Sequence, residues 1–462
     1  MLEQQLAHFF GYQNFRKGQK EIIEALLANQ DTLAILPTGT GKSLCYQLAG
    51  YLKEGLVIVV APLISLMEDQ VYSLQKINEK RTIALNSTLS SFDKEFVLKH
   101  LQRYKFLFVS PEMLQQVAVI NALKQQPIAL LVVDEAHCVS QWGIDFRPDY
   151  RRLNEIKAQL NHPVTLALTA TATNLVQQEI SNLLMNSQKM FTYKESVNRE
   201  NIALFVEVTE DKVVALRSYL NRFQGSGIIY CATRKQVEFL YQELRQDYPL
   251  GYYHGGLQSS QRRNLQQQFV SGKLRILVAT NAFGMGINKA DIQFVIHYEL
   301  ADSLENYLQE IGRAGRNGEQ AYAVLLYRSQ DERIHHFFQQ VMQEERKGLA
   351  LLFENPTLTP SELQAKWQTQ AQVTSQDQVI NDLKNNERVK KEKLQKMLDY
   401  IFTKSCRREV ILNYFAEAIS HPPSACCDFH RTPLPEVHAQ LATLKEQQQS
   451  WENILLKLFK DN

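Results

Sequence analysis

A glycine-bearing octapeptide, LPTGTGKS at residues 36–43, constrains the fold of this chain more than any other feature. An apolar run at residues 32–36 precedes it, and a helical pattern begins at Leu44. A strand, a glycine turn and a helix N-terminus in this order form a cradle for phosphate groups, because backbone N–H groups point into the turn. In such a cradle Lys42 would reach the β- and γ-phosphates, and the Ser43 hydroxyl would bind Mg²⁺. The other members of this predicted phosphate loop are Thr38, Gly39, Thr40 and Gly41.

A second motif follows an uninterrupted apolar run at residues 128–133, which ends in Asp134, Glu135, Ala136 and His137. Such a run is typical of a strand buried on both faces of a parallel sheet, and ligands bind at the carboxyl ends of these strands. We expect Asp134 to hold Mg²⁺ and Glu135 to orient and deprotonate the attacking water. The alternative is an ordinary surface pair that caps a helix, and the accompanying phosphate loop disfavours it.

Length and composition are typical of a large multi-domain protein. A chain of 462 residues exceeds what one core usually supports, so two or three domains are expected. The formal charge of +2 is close to neutral, so a polyanion site has to come from local patches. No apolar stretch approaches the roughly 20 residues of a membrane span, and we find no secretory signal. Cys45, Cys138 and Cys231 resemble reduced, buried thiols, so a cytoplasmic location is predicted.

β-rich runs alternate with helical patterns to about residue 327. The predicted strands are residues 56–60, 105–109, 130–133 and 165–168, then 227–231, 274–279, 294–297 and 322–326. Two such series, separated by a break near residues 193–201, predict an α/β fold with two parallel-sheet lobes and a cleft between them. From Ser329 the chain becomes helical and rich in Gln, Glu and Lys. There a helix start is predicted, with Thr359 as N-cap and Pro360 as the first helical residue.

The second lobe contains an arginine motif, QEIGRAGR at residues 309–316. If the segment is helical, Arg313 and Arg316 project toward one face, and Gln309 joins them as a candidate catalytic residue. A guanidinium donated across the cleft would neutralise charge on the γ-phosphate in the transition state, an effect of about 10³–10⁵ in rate. The alternative is a solvated basic helix face. The small residues beside the arginines favour a role that needs close backbone approach.

Further segments extend this series of motifs in a fixed order. They are residues 10–19 (FGYQNFRKGQ), 61–70 (APLISLMEDQ), 168–172 (LTATA) and 280–289 (TNAFGMGINK). Together with the phosphate loop, the Asp-Glu-Ala-His segment and the arginine motif, they resemble the RecQ family of superfamily 2 DNA helicases. The resemblance covers about residues 9–328 and, more weakly, residues 394–430. It implies that Tyr12 stacks on the adenine base, that Gln19 hydrogen-bonds its edge, and that Arg16 assists.

By this resemblance the protein is an ATP-driven, Mg²⁺-dependent motor that moves 3′ to 5′ along single-stranded DNA and unwinds duplex DNA in repair or recombination. Arg316 would be the arginine finger and Arg313 the second candidate. Contacts to phosphates and base faces would make binding salt-sensitive and nearly blind to sequence. A bacterial member would be associated with the nucleoid. The implied divisions are RecA-like lobe 1 (1–198), RecA-like lobe 2 (199–335), a helical insertion (336–393), a zinc-binding-like subdomain (394–430) and a C-terminal helix (431–462).

Two other classes of protein fit parts of the pattern. One is a DNA-stimulated ATPase that translocates or remodels but separates strands poorly. The other is a non-catalytic nucleic-acid-binding protein, and the presence of Lys42, Asp134, Glu135 and Arg316 argues against it. RNA in place of DNA is the alternative substrate, and the aromatic-rich loop described next favours DNA.

An aromatic-rich segment at residues 138–150 directly follows the carboxylate motif. Aromatic faces can stack on unpaired bases at about 1–3 kcal/mol per base without reading sequence. The segment resembles the aromatic-rich loop of the RecQ family, although Ile144 stands where the family usually has His. Three aromatic residues packing a domain corner would be the alternative. The residues predicted to contact DNA are Trp142, Phe146 and Arg147.

A zinc site is predicted near the end of the chain. Cys406 resembles the start of the family's zinc-binding subdomain, and residues 424–430 stand where the family has Cys-x-x-Cys-Asp-x-Cys. In this register Cys427 keeps its place and His430 replaces a cysteine. Structural zinc takes four Cys or His ligands, so a shifted turn has to bring in one more; a metal-free remnant held by packing is the alternative. The predicted ligands are Cys406, Cys426, Cys427 and His430, with His421 as a weaker candidate.

The C-terminal part departs further from the family. Residues 437–458 predict one amphipathic helix or two, and the residues after His430 leave no room for a winged-helix domain of the usual size. The expectation is therefore a short form that separates strands with another element. Helices within residues 328–393 could form a small DNA-facing module, although a solvated helix face is the default interpretation of their charges.

Overall fold

The computed structural model describes residues 1–140, 148–186, 188–283, 289–372, 374–419 and 421–436. Two parallel β-sheets and a helical region follow one another along these residues. The predicted α/β class with two RecA-like lobes is therefore confirmed. No helix in these ranges combines the length and the apolar character that a membrane crossing needs.

The first lobe is built on one parallel sheet. Its strands are β1 (Asp31–Ile35), β2 (Leu56–Val60), β3 (Thr82–Leu85), β4 (Phe106–Val109), β5 (Ile128–Val133), β6 (Thr165–Thr169) and β7 (Met190–Lys194). They are ordered β3-β4-β2-β5-β6-β1-β7. Along β2, Leu56, Ile58 and Val60 pack into one apolar cluster, and Val57 and Val59 pack into another on the opposite face. Burial on both faces explains why these strands are apolar runs.

Helices cover both faces of this first sheet. They are α1 (Leu2–Phe10), α2 (Gln19–Leu27), α3 (Lys42–Leu52), α4 (Ile64–Lys76), α5 (Ser91–Lys99), α6 (Pro111–Leu114), α7 (Val117–Leu123), α8 (Pro148–Arg151), α9 (Leu153–Gln159) and α10 (Asn174–Leu184). A buried ion pair between Lys157 Nζ and Asp31 Oδ2, 2.6 Å long, ties α9 to the start of β1. The strand that leads into the phosphate loop is thereby fixed at its far end.

The second lobe repeats the arrangement. Its strands are β8 (Ile202–Val208), β9 (Ser226–Tyr230), β10 (Leu250–Tyr253), β11 (Ile276–Ala279), β12 (Ile292–His297) and β13 (Ala321–Tyr327), in the order β10-β11-β9-β12-β13-β8. Its helices are α11 (Lys212–Arg222), α12 (Arg234–Leu244), α13 (Ser259–Val270) and α14 (Leu304–Ile311). Residues 195–201 form the linker between the two sheets.

A helical region follows the second sheet. It contains α15 (Arg333–Glu354), α16 (Glu362–Ala371), α17 (Gln376–Phe402) and α18 (Arg407–Tyr414). Leu349, Trp367 and Val379 form a small apolar cluster between α15, α16 and α17. α17 continues past residue 393 to Phe402, so the helical module and the zinc-binding-like segment share this helix. The predicted domain boundaries stay predictions.

The start of α16 differs from the sequence-based prediction. The N-cap is Ser361, not Thr359. The backbone N–H of Gln364 donates to Ser361 Oγ at 3.1 Å, and the backbone N–H of Ser361 donates to Gln364 Oε1 at 2.9 Å. This reciprocal capping box satisfies two helix-end donors at once, which a Thr359 cap followed by Pro360 does not offer.

The segment after α18 lies along an open edge of the second sheet. The backbone N–H of Leu204 in β8 donates to the Cys426 carbonyl at 3.1 Å, and Leu204 forms a parallel bridge with Cys427. The backbone N–H of Val206 donates to Asp428 Oδ2 at 3.0 Å. Arg407 Nε holds the same carboxylate at 2.6 Å. The zinc-binding-like segment is therefore joined to β8.

Candidate functional site

The phosphate loop connects β1 to α3, and its backbone requires glycine at two positions. Gly39 and Gly41 have φ angles of +90° and +82°. Both φ angles lie in the left-handed region, which residues with a Cβ atom rarely adopt. A Cβ at Gly41 would also lie 2.8 Å from Gln19 Nε2. Because α3 begins at Lys42 directly after the loop, its N-terminal N–H groups favour an anion there.

Two carboxylates lie opposite this loop, at the end of β5. The Lys42 Nζ atom is buried, and no group in the described ranges hydrogen-bonds to it. Burial, together with the charge of Glu135, raises the pKa of Asp134, and Lys42 opposes that rise. Burial would also raise the pKa of Glu135, but the charges of Lys42, His137 and Arg313 bring it below its ordinary value. Ser43 and Asp134 both offer oxygen ligands, so this arrangement fits Mg²⁺.

Glu135 adopts an unusual backbone conformation. Its φ angle is +48°, which for a non-glycine residue costs about 1–3 kcal/mol and is common at functional sites. The strand therefore ends just before the two carboxylates, which lie in the turn that follows it. His137 Nδ1 lies 3.4 Å from Glu135 Oε2 and 3.0 Å from Thr169 Oγ1, and the Thr169 hydroxyl donates to the Thr171 carbonyl at 3.0 Å. These contacts join the carboxylate motif to the Thr-Ala-Thr segment.

The predicted adenine segment contacts the phosphate loop directly. Arg16 Nη1 donates to the Gly39 carbonyl at 2.5 Å. Gln19 Nε2 donates to the carbonyls of Thr40 and Gly41 at 2.9 and 3.2 Å. Tyr12 is 59% exposed, so its ring is accessible for stacking. Gln19 would have to exchange loop carbonyls for the base edge in order to bind adenine.

The arginines of the second lobe lie in a turn rather than a helix. α14 ends at Ile311, so the helical arrangement of Arg313 and Arg316 does not occur. Gly315, between the two arginines, has a φ angle of +59°. Gln309 is half-buried near the end of α14. We call residues 312–316 the arginine turn.

The arginine turn reaches the phosphate loop of the other lobe. A Cβ at Gly39 would lie 2.9 Å from Arg316 Cδ, so the arginine packs on the loop itself. Burial, with the positive charges of Arg313 and Arg199 nearby, lowers the pKa of Arg316 to about 10. A polyanion beside these guanidinium groups would stabilise their charged forms. Arg199 was not predicted as a site residue, because it lies in the break between the two strand series; its positive charge just before β8 was the available signal.

The four predicted zinc ligands lie together. Cys406 Sγ is 3.7 Å from Cys426 Sγ and 4.0 Å from Cys427 Sγ, and Cys427 Sγ is 3.3 Å from His430 Nδ1. All four ligand atoms lie within 4.8 Å of one another. Tetrahedral zinc with Zn–S bonds of about 2.3 Å separates two sulfur ligands by about 3.8 Å. The donors therefore fit a zinc ion, and among the described residues Cys426 lies in this group whereas His421 does not.

Several predicted residues lie outside the described residues. These are Trp142, Phe146 and Arg147, with Ile144, residues 284–288 of the fifth motif and the predicted helix at 437–458. Tyr150 follows the gap at residues 141–147. It is fully buried, and its hydroxyl donates to the Asp134 carbonyl at 3.3 Å. The hydroxyl of Tyr150 thus ties the start of the following described segment to the backbone of Asp134.

Comparisons with known proteins agree with this architecture. Three family descriptions match successive parts of the chain: DEAD/DEAH box helicase over residues 16–179, helicase conserved C-terminal domain over 211–318, and RecQ zinc-binding over 367–431. The structure of Mss116p bound to ssRNA and AMP-PNP has a TM-score of 0.60 at 19% identity, over 89% of this chain and 88% of that one. The family matches, together with the fold, place the chain in the class of two-lobed superfamily 2 helicases.

Sequence relatives define the family within this class. The probable ATP-dependent DNA helicase RecS of Bacillus subtilis (strain 168) is 50% identical over 330 residues, which cover 70% of this chain and 66% of the relative. The ATP-dependent DNA helicase RecQ of the same organism is 38% identical over 427 residues, 91% of this chain and 65% of the relative. The chain thus spans just under two thirds of the length of both relatives. It belongs to the RecQ family, as predicted.

Proposed function

We propose that this chain is an ATP-dependent DNA helicase. One observation carries the proposal: a phosphate loop and two carboxylates from lobe 1 meet the arginine turn of lobe 2 in one cleft. The buried Lys42 Nζ, for which the described residues supply no hydrogen-bond acceptor, suits a triphosphate. The names of the two Bacillus relatives support ATP and DNA as the substrates.

In this proposal the triphosphate occupies the loop formed by Thr38, Gly39, Thr40, Gly41, Lys42 and Ser43. Lys42 binds the β- and γ-phosphates. Ser43 and Asp134 would hold Mg²⁺, which supplies positive charge to the phosphates when bound. Glu135 orients the attacking water and accepts its proton. Neighbouring cations lower the pKa of this carboxyl group and so keep it in the deprotonated form that can accept a proton. Arg316, assisted by Arg313 and Gln309, stabilises the charge of the transition state.

Other proposed contacts place the base and the DNA strand. Tyr12 stacks on adenine, Gln19 hydrogen-bonds its edge, and Arg16 supports both through the phosphate loop. Trp142, Phe146 and Arg147, which directly follow the carboxylate motif in the sequence, contact single-stranded DNA. The His137–Thr169 contact then links the site of hydrolysis to the segment that follows β6.

Strand movement follows from alternating closure of the two lobes around ATP. Translocation from 3′ to 5′, separation of duplex ahead of the motor, and a role in DNA repair or recombination complete the proposal. Contacts to phosphates and base faces make the binding weaker at high salt and nearly independent of sequence. Cys406, Cys426, Cys427 and His430 would hold a structural Zn²⁺.

The test combines ATP hydrolysis with strand separation on the same preparation. We expect single-stranded DNA to stimulate hydrolysis and a 3′-tailed duplex to be unwound in ATP and Mg²⁺. Lys42→Ala should abolish both, and Glu135→Gln should bind ATP but lose about 10²–10⁴-fold in turnover. Lys76→Ala, an exposed lysine of the same lobe, is the matched control and should behave as wild type.

Each contrary result would overturn a stated part of the proposal. Unwinding of 5′-tailed duplex alone would reverse the polarity, and stimulation by RNA but not DNA would change the substrate. Vigorous DNA-stimulated hydrolysis without strand separation would make the protein a translocase. No hydrolysis by the wild-type chain would refute the proposal as a whole.

A further inference from the structure

Arg199 contacts both lobes at the nucleotide cleft, although it belongs to none of the motifs. Its Nη1 donates to the Gly312 carbonyl at 3.3 Å, and its Nη2 donates to the carbonyls of Ala314 and Gly315 at 3.2 and 2.8 Å. Nη1 also lies 3.5 Å from the carbonyl of Thr38 in the phosphate loop. One guanidinium group therefore connects the arginine turn with the phosphate loop.

The carbonyls that Arg199 binds set the course of the arginine turn. Two of them flank Arg313, and the third directly precedes Arg316. A planar guanidinium has donors in a fixed fork, so it fixes the carbonyls relative to one another better than a flexible ammonium would. Asn201 adds to this hold, since its Nδ2 donates to the carbonyls of Gly315 and Glu319 at 2.8 Å each.

The turn held by Arg199 has almost no clearance from lobe 1. A Cβ at Gly312 would lie 2.7 Å from Thr38 Oγ1, and one at Gly39 would lie 2.9 Å from Arg316 Cδ. Any displacement of the turn therefore moves Arg316 relative to the phosphate loop. Misplacement of a catalytic group by about 1 Å can cost about 10²-fold in rate.

Arg199 is itself held by a residue of α18. Arg408 is 3% exposed, and its Nη1 donates to Asn198 Oδ1 at 2.7 Å and to the Arg199 carbonyl at 2.9 Å. Its Nη2 donates to the Ile202 carbonyl at 2.5 Å and lies 3.4 Å from the Cys426 carbonyl. Arg408 of α18 thus holds the chain on both sides of Arg199, at Asn198 and at Ile202.

We propose that Arg199 is a positioning residue for ATP hydrolysis, which sets the arginine turn against the phosphate loop, and that Arg408 holds Arg199 in place. The inference rests on the proposed function, because it assumes that Arg316 acts on ATP. An arginine that only stabilised the fold would change melting without changing the turnover of the folded enzyme. The two roles therefore separate in a kinetic measurement.

The experiment compares Arg199→Lys with a matched arginine inside lobe 2. Arg275 also donates to backbone carbonyls, Leu220 at 2.9 Å and Gly225 at 3.3 Å, but touches neither the turn nor lobe 1 through these bonds. We expect Arg199→Lys to lower kcat for DNA-stimulated ATP hydrolysis about 10- to 100-fold, because a lysine cannot donate to the three carbonyls of the turn in the same fixed geometry. The KM for ATP should change less than about threefold, since ATP binding is kept. Arg275→Lys should leave kcat unchanged.

A second arm tests the support from α18. Arg408→Lys should also lower kcat, and the loss in the double variant should be smaller than the product of the two single losses, because both act on one turn. Asn201→Ala offers a milder variant should Arg199→Lys fail to fold, with a smaller loss of kcat expected. Binding of a fluorescent ATP analogue and thermal melting are recorded for every variant.

The outcomes distinguish this inference from the proposed function. Wild-type kcat in Arg199→Lys, with activity lost in Arg316→Ala, would overturn the positioning role and leave the proposed function intact. Equal losses in Arg199→Lys and Arg275→Lys, in parallel with melting, would also overturn it. Absence of ATP hydrolysis in the wild-type chain would overturn both.

Discussion

At the scale of single residues, steric clearance rather than charge determines where the arginines of lobe 2 can lie. Gly39 leaves just enough space for the Arg316 side chain, and its φ angle of +90° excludes most other residues. Charge alone would drive Arg316 away from Arg313 and Arg199. Packing of Arg316 against the phosphate loop therefore holds it near the other two arginines despite their mutual repulsion. A bound polyanion would remove this repulsion by neutralising the charges.

The first residue-scale prediction concerns Gly39→Ala. The new Cβ would displace Arg316, so kcat for ATP hydrolysis should fall about 10-fold or more. Backbone strain from an alanine at positive φ should also lower stability by about 1–2 kcal/mol. Steady-state kinetics and urea unfolding measure the two effects separately.

Gly272→Ala is the matched control for this variant. Gly272 also has a positive φ angle, +78°, but a Cβ there would meet nothing within 4 Å. It should show the same loss of stability with wild-type kcat. If both variants reduced kcat equally, backbone strain rather than the contact with Arg316 would be responsible.

Residues whose chemistry is local could be predicted from the sequence, and residues that act across the chain could not. Lys42, Asp134 and Arg316 stand in short motifs whose spacing carries their chemistry. Arg199 and Arg408 act on backbone carbonyls, which leave no signature in the sequence of their partners. The assigned roles of the motif residues still await the kinetic tests.

At the scale of elements, the strands at the centre of each sheet could be predicted from the sequence, and the strands at its edges could not. The apolar-run criterion found the strands at the centre of both sheets. It missed β3, β7, β8 and β10, and these are the edge strands of the two sheets. In β7 the residues alternate between exposed and half-buried, because one side of an edge strand lacks a covering neighbour. A pattern based on continuous burial cannot find β7, whereas β8 is buried over its first four residues and escaped for another reason.

The capping of α16 gives the prediction at this scale. Ser361→Ala should lower stability by about 1 kcal/mol, because the capping box loses its side-chain acceptor. Ser361 Oγ also donates to Glu345 Oε2 at 2.7 Å, so the contact with α15 is lost as well. Hydrogen exchange of the α16 amides would report the loss locally, with faster exchange at the first turn.

Thr359→Ala is the control for the cap. Thr359 is exposed and lies outside the capping box, so its removal should leave exchange in α16 unchanged. Faster exchange in Thr359→Ala than in Ser361→Ala would restore Thr359 as the N-cap and contradict the structure.

At the scale of the whole molecule, α17 and the residues after α18 contact lobe 1, the linker and lobe 2, and so hold the two lobes together. Glu417 accepts the backbone N–H of Val197 at 3.2 Å and the Ser196 hydroxyl at 2.5 Å, both in the linker. Lys393 in α17 pairs with the buried Glu305 in α14 at 2.8 Å. The helical module also approaches lobe 1, where Arg151 Nη1 lies 3.8 Å from Asp382 Oδ2. Such distant contacts depend on the assembled fold, so the sequence alone could not predict them.

Metal removal tests this fastening. With a zinc-selective chelator and no nucleotide, the cluster at Cys427 should loosen and release Arg408 from the linker. Trypsin should then cut after Arg199, between the lobes, faster than in the metal-loaded protein. Mass spectrometry of the fragments, and about one zinc per chain in the untreated protein, are the measurements.

Two controls accompany this experiment. Cleavage after Lys273, which is exposed in a lobe 2 loop, should be the same with and without the chelator. Cys427→Ser should reproduce the effect of the chelator, while Cys231→Ser, a buried cysteine outside the cluster, should not. Unchanged cleavage after Arg199 in the metal-free protein would show that the linker is held without the metal.

The pairing of the C-terminal segment with β8 has a consequence for solubility. An uncovered edge strand offers free backbone N–H and C=O groups to any other strand, including the same strand in a second molecule. Here Leu204 and Val206 are already bonded to Cys426 and Asp428. Loss of the segment, by truncation or by oxidation of its cysteines, would therefore turn lobe 2 into a template for self-association, and the damaged protein would precipitate rather than become a slower enzyme.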